Sequence, residues 1–272
     1  MSIITITTDL GYRDPYLAMV KGIIYSKQPN AKIVDLACEV NMHAHNEGAF
    51  ALKSALPYFP EDTIHLFAIK YLNSSETITN LSIDNTRYLL TKYNGQYIIC
   101  PDNGLLTLID KTFNETVYQL YFDSARQHSF YLRDVFAEIA CKLINKVALE
   151  DFCSETQDYC KLFNFESFST PNNLQGMVLY EDSFGNLITT ITKQEFEKHI
   201  GNKRFSIALP SSNVYKIYNT YDDVKIGDIV CFFNSMDLLE ISLLGQSATK
   251  VAMKSKVLSK YKIDRIIVEI YD

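Results

Sequence analysis

The hydrophobic pattern of this chain changes character after about residue 150 of its 272. Before that point, strand-like stretches alternate with helical ones, beginning with a strand at Ile3–Thr7 and a helix at Tyr16–Tyr25. Strands joined by right-handed helical crossovers form a parallel sheet covered on both faces, so this half is predicted to be an α/β domain with a largely parallel sheet. From Gly176 onward only short strand-like stretches follow, which predicts an all-β, barrel-like second domain.

The individual elements follow from the same patterns. The first half is predicted to contain the strands Lys32–Leu36 and Thr63–Ile69, the helices Asn46–Leu56 and Asp134–Val147, and a hairpin of Tyr88–Leu90 with Tyr97–Cys100 around Asn94-Gly95. The second half is predicted to contain the strands Met177–Tyr180, Leu187–Ile191, Phe205–Leu209, Val214–Ile217, Ile229–Phe233, Leu238–Leu243 and Ile266–Ile270. Turn formers without periodicity predict a linker at 166–173, between an α/β domain over 1–165 and a β-barrel-like domain over 174–272.

Charge and cysteine usage limit the class of partner. The formal net charge of −6 argues against binding to nucleic acid or to an anionic membrane, because both require clustered Lys and Arg. No apolar run approaches the length of a membrane span, and no basic segment followed by an apolar run opens the chain. The six cysteines are scattered, which favours reduced thiols. We therefore expect a cytoplasmic protein with a small-molecule partner.

Two segments carry the residue types that bind a nucleoside-like ligand with positive charge. Asp9 and Asp14 directly follow the first predicted strand, and ligands of α/β sheets bind at the carboxyl ends of strands. The second segment, Asp182–Leu187, reads Asp-Ser-Phe-Gly-Asn-Leu and combines an acid, an aromatic face, a flexible turn and an amide. An aromatic face can stack on a base, and carboxylates attract a cation and accept hydrogen bonds from hydroxyls.

A family resemblance rests on segments that occur in order along nearly the whole chain. They are Thr8–Tyr16, Met19–Gly22, Glu47–Ala49, Tyr58–Pro60, Pro101–Leu106, Asp182–Leu187 and Asn234–Ser235. The set closely resembles the S-adenosylmethionine (SAM) hydroxide adenosyltransferases and the related SAM-dependent fluorinases and chlorinases. The resemblance implies an N-terminal α/β domain, a C-terminal β-barrel domain and a homotrimer with ligand sites between neighbouring subunits. It implies no metal and no cofactor besides SAM itself, as substrate or ligand.

The chemistry of SAM agrees with several of these side chains. Asp9 is suited to accept hydrogen bonds from both vicinal ribose hydroxyls. Phe184 offers a face for adenine stacking, and Asn186 is expected to read the base edge through one donor and one acceptor. Tyr221 is a candidate second wall. By resemblance alone, the remaining members of the site are Asp14 and Asp182, which would hold the ammonium of the methionine end, and Ser235, which would lie near its carboxylate.

Each assignment has a structural alternative. Asp14 precedes Pro15 and fits a helix N-cap. Phe184 and Asn186 fit an ordinary turn, with a core aromatic and an amide that tolerates a left-handed backbone. Pro101–Gly104 fits a strand-to-helix turn capped by Asp102, which is the preferred interpretation there. Ser235 fits a turn hydroxyl, and Tyr221 a surface aromatic.

The family's reaction is displacement at the ribose C5′ of SAM, with methionine leaving as a neutral thioether. In the hydroxide-using branch an Asp, an Arg and a His act on the attacking water, and this chain departs at all three positions. The family's Asp-Pro-Gly-Val-Gly segment is replaced by 69–77, which puts Lys70 at the Asp and Thr77 at the Arg. Tyr131 stands where the family's His precedes Gly-Arg-Asp.

These replacements leave the function open between two main hypotheses, with a structural, interaction-only role as a third. Lys70 could be a neutral base with Tyr131 as a hydrogen-bond donor, could attract an anionic nucleophile, or could point to solvent in a site that does not catalyse. Glu76 could supply the missing acid. The chain then either cleaves SAM to adenosine and methionine through an altered set, or is a catalytically inactive SAM- or adenosine-binding module or sensor. His43 and His45 lack a recognisable third ligand, so no metal site is predicted.

Overall fold

The computed structural model describes residues 2–41, 44–69, 87–122, 130–162, 166–209, 213–244 and 265–271. The chain divides into two compact units, Met1–Asn164 and Phe165–Asp272. Each unit has hydrophobic core residues of its own. The stretch 166–173, predicted to be a linker, contains a short strand that pairs within the second unit.

The first unit is an α/β domain built on a seven-stranded sheet with the order β2-β1-β3-β5-β4-β6-β7. Its strands are β1 (Ile3–Thr8), β2 (Lys32–Ala37), β3 (Ile64–Ala68), β4 (Tyr88–Tyr93), β5 (Gln96–Pro101), β6 (Val117–Leu120) and β7 (Cys153–Thr156). The four strands β2, β1, β3 and β5 pair in parallel, whereas β4, β6 and β7 add antiparallel pairs. The predicted parallel sheet is thus confirmed at its core, and its far side is antiparallel.

Helices cover both faces of this sheet. They are α1 (Tyr16–Lys27), α2 (His45–Ala55, followed by a 3-10 turn at Leu56–Tyr58), α3 (Leu105–Ile109) and α4 (Ala137–Ile144, preceded by a π-helical turn at Leu132–Phe136). Alternation along β3 explains why two layers form: Leu66 faces the core cluster of α1 and α4, and Phe67 faces that of α2 and α3. Both side chains are fully buried, and each burial contributes about 1.5–3 kcal/mol. Among the described helices, none has the length and apolar character needed to cross a membrane.

The predicted hairpin around Asn94-Gly95 is confirmed. β4 and β5 pair antiparallel, with Tyr93 opposite Gln96. The two turn residues have φ values of 49° and 78°, the left-handed backbone of a two-residue hairpin loop whose twist matches the strands.

The second unit is an all-β, barrel-shaped sheet with the order β12-β11-β15-β9-β10-β14-β13, and β8 also pairs with β9. Its strands are β8 (Phe168–Thr170), β9 (Asn173–Glu181), β10 (Leu187–Thr192), β11 (Arg204–Ala208), β12 (Asn213–Val214), β13 (Ile229–Phe233), β14 (Leu238–Leu243) and β15 (Arg265–Tyr271). The strand predicted at Val214–Ile217 is wrong in length, because β12 ends at Val214. One helix, α5 (Lys193–Ile200), was not predicted; Thr192 and Glu195 form a capping box at its start.

Candidate ligand-binding site

Asp9 lies at the carboxyl edge of the parallel strands, as its position after β1 predicts. The end of β1 is tied to β3 by the Thr8 hydroxyl, which donates to the Ala68 carbonyl at 3.0 Å. Two residues beyond Asp9, Gly11 has φ 69°, and its N–H donates to the Cys38 carbonyl at 2.7 Å. These two ties hold the half-buried Asp9 at the edge where α/β sheets bind ligands.

Asp14 does not cap helix α1. Pro15 occupies the position before the helix, and no side chain accepts a hydrogen bond from the first turn. The alternative interpretation of Asp14 as an N-cap is therefore wrong. Its carboxylate is exposed at the start of α1, which leaves it available to a cationic group.

Tyr131, at the position of the family's His, lies close to Asp9 in an aromatic cluster. Its ring stacks on Tyr88 at 5.4 Å and contacts the edge of Phe136 at 5.2 Å between centroids. Burial, and then the negative charge of Asp9, raise the pKa of Tyr131 above the ordinary value for a phenol. At neutral pH the hydroxyl is therefore protonated and can donate a hydrogen bond, but it cannot serve as a base.

The backbone at Tyr131 is also unusual. The π-helical turn Leu132–Phe136 begins at the next residue, and such turns are frequent at functional sites. Arg133 binds its neighbour Asp134 with both nitrogens of its fork, at 2.6 Å and 3.0 Å. Its charge is therefore compensated within the turn.

Several predicted positions lie outside the described residues. They are Lys70 and Thr77 of the replaced set, Glu76, and His43. His45 is buried at the start of α2. Within the described ranges, no three His, Cys, Asp or Glu side chains are grouped so that they could hold a metal ion.

The predicted strand-to-helix turn at Pro101–Gly104 is confirmed, because it joins β5 to α3, but its predicted cap is wrong. Asp102 does not cap α3; its Oδ2 lies 2.5 Å from the Arg87 guanidinium, and its Oδ1 accepts from the Cys160 N–H at 2.7 Å. Asn103 donates to the carbonyl of Ile69 at 3.0 Å. The loop thus anchors the backbone directly before Lys70.

The segment Asp182–Asn186 forms a turn organised by its own carboxylate. Asp182 Oδ1 accepts from the N–H groups of Phe184 and Asn186, and Oδ2 accepts from Asn186 Nδ2, all at 2.9 Å. The residue with a left-handed backbone is Gly185, with φ 84°, so the turn does not require Asn186 to adopt that conformation. Phe184 is 57% exposed and is not a core aromatic. Both structural alternatives for this pair are therefore wrong in detail.

A chain of hydrogen bonds links this turn to a buried acid on β14. Asn186 Nδ2 also donates to the Tyr221 hydroxyl at 3.3 Å, and that hydroxyl donates to Glu240 Oε1. Glu240 is 7% exposed, and Asn234 Nδ2 donates to its Oε2 at 3.2 Å. Burial, and then the hydrogen bond to Glu240, raise the pKa of Tyr221, so the phenol stays protonated.

This network changes two predictions and adds one residue. Both hydrogens of Asn186 Nδ2 are used inside the protein, so Asn186 offers a ligand an acceptor only and not the expected donor and acceptor. Tyr221 is half-exposed and belongs to the network, with its ring edge on Phe232 at 4.8 Å. Sequence reasoning missed Glu240; an acid within the apolar strand Leu238–Leu243 was the available signal.

Ser235 lies at the exposed turn between β13 and β14. The turn is held by Asn234, whose Oδ1 accepts from the N–H groups of Met236 at 3.0 Å and Leu238 at 3.2 Å. The Ser235 hydroxyl is not needed for these bonds. Its proposed place near a ligand carboxylate stays a prediction.

Comparison with known proteins identifies the family and similar proteins. The sequence profile of the SAM hydroxide adenosyltransferase N-terminal domain matches residues 4–153, and that of the C-terminal domain matches residues 176–255. The chain is 26% identical to an (R)-S-adenosyl-L-methionine hydrolase of Methanocaldococcus jannaschii, over 92% of each chain. It is 25% identical to a fluorinase of Actinopolyspora mzabensis, over 88% of this chain and 90% of that one. The fold is similar to the crystal structure of an uncharacterized conserved protein from Thermotoga maritima, with a TM-score of 0.78 and 23% identity over 98% and 99% of the two chains.

Proposed function

Because the chain belongs to the SAM hydroxide adenosyltransferase family, we propose that it binds SAM and hydrolyses it to adenosine and methionine. The observation that carries the proposal is the turn Asp182–Asn186. It presents the exposed face of Phe184 next to an amide whose orientation is held by hydrogen bonds. An aromatic face beside a fixed polar group is what a protein needs to hold a purine base.

The other side chains complete the recognition of SAM in this proposal. Asp9 accepts from the two ribose hydroxyls. Asp14 and Asp182 bind the ammonium of the methionine end. Asp182 accepts three hydrogen bonds from its own turn, and a carboxylate has about four acceptor positions, so one remains for the ligand. Ser235 donates to the ligand carboxylate. The proposed assembly is a homotrimer with ligand sites between neighbouring subunits.

The proposed reaction is an attack of water on the ribose C5′. The C5′–O bond forms while the C5′–S bond breaks, and the electron pair of that bond leaves with sulfur as the neutral thioether of methionine. Since the sulfonium is already an activated leaving group, the protein has to align the water, exclude other solvent and remove one proton. Tyr131 is protonated and serves as a donor that orients the water. Lys70 in its neutral form takes the proton.

Incubation of the purified protein with SAM, followed by chromatography, tests the proposal. We expect adenosine and methionine to appear in equal amounts. Asp9→Asn should raise KM for SAM, because a neutral amide cannot accept from both ribose hydroxyls as the carboxylate does. Asp62→Asn is the matched control: it removes an exposed carboxylate before β3, at the amino edge of the same sheet, and should leave KM unchanged. Equal KM values for the two variants would contradict the role of Asp9.

A second candidate function is favoured by the environment of Tyr131. A phenol with a raised pKa in an aromatic cluster cannot replace a histidine as a base, which suits a SAM- or adenosine-binding module without turnover. Calorimetric binding of SAM without products would support this module. The double change Lys70→Asp with Tyr131→His should then begin to restore turnover. Failure of the folded protein to bind either SAM or adenosine would exclude both functions.

A further inference from the structure

We propose that Glu240 is a positioning residue that fixes the hydrogen-bonding polarity of Asn186 through Tyr221, and so makes the site select a 6-amino purine over a 6-oxo purine. The inference rests on the proposed function, because it assumes that the purine of SAM lies against Phe184 and Asn186. Glu240, Tyr221 and Asn186 form a chain of hydrogen bonds from β14 to the Asp182–Asn186 turn, and all three lie within the second unit.

Glu240 is the acceptor that starts the chain. Its carboxylate is 7% exposed and receives hydrogen bonds from Tyr221, from Asn234 Nδ2 at 3.2 Å and from the Ser242 hydroxyl at 3.3 Å. Glu240 is the acceptor in all three bonds. The single proton of the Tyr221 hydroxyl therefore points to Glu240, and toward Asn186 the phenol oxygen can only accept.

Asn186 is consequently oriented from two sides. One hydrogen of its Nδ2 goes to Asp182 Oδ2 at 2.9 Å and the other to the Tyr221 oxygen at 3.3 Å. Neither receiver has a hydrogen to give, so the amide cannot be flipped without losing both bonds. In the described part of the chain Asn186 Oδ1 accepts no hydrogen bond; the residue is only 6% exposed, but this oxygen is not fully enclosed. The side chain therefore shows a ligand a single acceptor of fixed direction.

This polarity distinguishes two classes of purine. The exocyclic amino group of adenine donates to Asn186 Oδ1, whereas the 6-oxo group of hypoxanthine places a second acceptor against it. A site built for one hydrogen-bond polarity rejects the opposite one because its polar group is left unpaired on binding. We expect adenosine to bind at least about 10-fold more tightly than inosine, which corresponds to one lost hydrogen bond of about 1.4 kcal/mol.

Calorimetric titration of the full chain with adenosine and with inosine tests the inference. The variants Tyr221→Phe and Glu240→Gln should each lower the adenosine-to-inosine affinity ratio about 3- to 10-fold. In Tyr221→Phe the second hydrogen of Asn186 has no acceptor, so only the bond to Asp182 Oδ2 still orients the amide. In Glu240→Gln the new amide can donate to the phenol oxygen, which lets the phenol proton turn toward Asn186. If Glu240→Gln does not fold, Tyr221→Phe keeps the ring and carries the test.

A second tyrosine–glutamate pair in the same unit supplies matched controls. Tyr271 donates to Glu269 at 2.7 Å and bonds Ser206 at 2.8 Å, without any hydrogen-bond connection to Asn186. Tyr271→Phe and Glu269→Gln should leave the affinity ratio at its wild-type value. If Glu240 had a merely structural role, Glu240→Gln would weaken the binding of adenosine and inosine equally. The adenosine-to-inosine affinity ratio would then stay at its wild-type value, and this result would overturn the inference.

The same titrations separate the inference from the proposed function. A wild-type protein that cleaves or binds SAM but takes adenosine and inosine equally well contradicts the polarity argument and leaves the proposed function standing. A folded wild-type protein that binds neither SAM nor either nucleoside overturns both. N6,N6-dimethyladenosine, which has no exocyclic N–H, should lose affinity as inosine does; if it binds as adenosine does, Asn186 Oδ1 is not the group that accepts from the base.

Discussion

Acidification from pH 7.5 to pH 5.5 should destabilise the first unit through His65, a buried histidine on β3. His65 is 1% exposed, with Nδ1 at 2.7 Å from the Thr5 hydroxyl and Nε2 at 2.7 Å from Gln96 Oε1. Gln96 uses its own Nε2 to donate to the carbonyls of Leu56 and Phe59, so its oxygen faces His65 as an acceptor. Nε2 therefore carries a hydrogen that it donates to Gln96, and in the neutral imidazole Nδ1 accepts from the Thr5 hydroxyl, so that both nitrogens are satisfied.

Burial lowers the pKa of His65 from its ordinary value of 6.5. Below about pH 6.5 the unfolded chain binds a proton that the folded chain still refuses, so the unfolded state holds more protons in this window. The free energy of unfolding therefore rises with pH, and it falls by up to about 1.4 kcal/mol for each unit of acidification between 6.5 and the folded pKa. That loss is large against the usual total of about 5–15 kcal/mol.

Urea unfolding of wild type and His65→Gln across this pH range measures the effect. The difference in free energy of unfolding between the two proteins cancels all other titrating groups, and it should shrink by up to about 1.4 kcal/mol per pH unit below 6.5. Thr91→Val is the control, since Thr91 is fully buried and its hydroxyl bonds the Thr116 carbonyl without any titratable group. A wild-type minus His65→Gln difference that stays constant from pH 7.5 to 5.5 would refute the reasoning.

Four further substitutions probe the site and its support. Asp182→Asn sets a donor against the neighbouring amide nitrogen and should weaken adenosine binding about 10-fold by calorimetry; unchanged affinity would contradict the role of the turn. Arg87→Met leaves the carboxylate of Asp102, which is 1% exposed, without its counter-charge and should cost about 3 kcal/mol or more in denaturant unfolding. Removing the exposed partner of the same arginine by Asp158→Ala should cost less than about 1 kcal/mol, and equal costs would contradict this distinction. Gly104→Ala should lower Tm, because the backbone has φ 87° and the added Cβ would lie 2.2 Å from a leucine side chain; an unchanged Tm would count against the strain.

Elements with a strong local signal were predictable. β1 was predicted from its β-branched residues, and the buried side chains of α1, Leu17, Val20 and Ile24, recur at helical spacing. The Asn94-Gly95 turn predicted its hairpin. Helix α3 was expected only as the helix that follows the turn Pro101–Gly104. Its bounds were not predicted, because all its residues, Leu105–Ile109, are buried and no polar face marks a helical period. The strands β6 and β7, which add the other antiparallel pairs of the first sheet, were not predicted, because each has only four residues, too short a stretch to show an alternating pattern.

The candidate site divides in the same way. The Asp182–Asn186 turn was predictable from the residues, because its carboxylate bonds to its own neighbours in the chain. The role of Asp9 in ligand binding stays a prediction. Asp102 was assigned to the wrong partner because its partner, the Arg87 side chain, comes from the opposite side, at the open end of the β4–β5 hairpin.

Residue types and their spacing were enough to specify two domains, their fold classes and the turn that shows Phe184 to solvent. Folding decided what Asn186 presents to a ligand: its amide is oriented through Tyr221, 35 positions away, and Tyr221 through Glu240, a further 19 positions on. Short-range patterns carry the conformational preferences of neighbouring residues. The donor and acceptor directions along a buried chain of hydrogen bonds depend on which distant strands pack side by side in the core. That packing is a property of the whole folded unit.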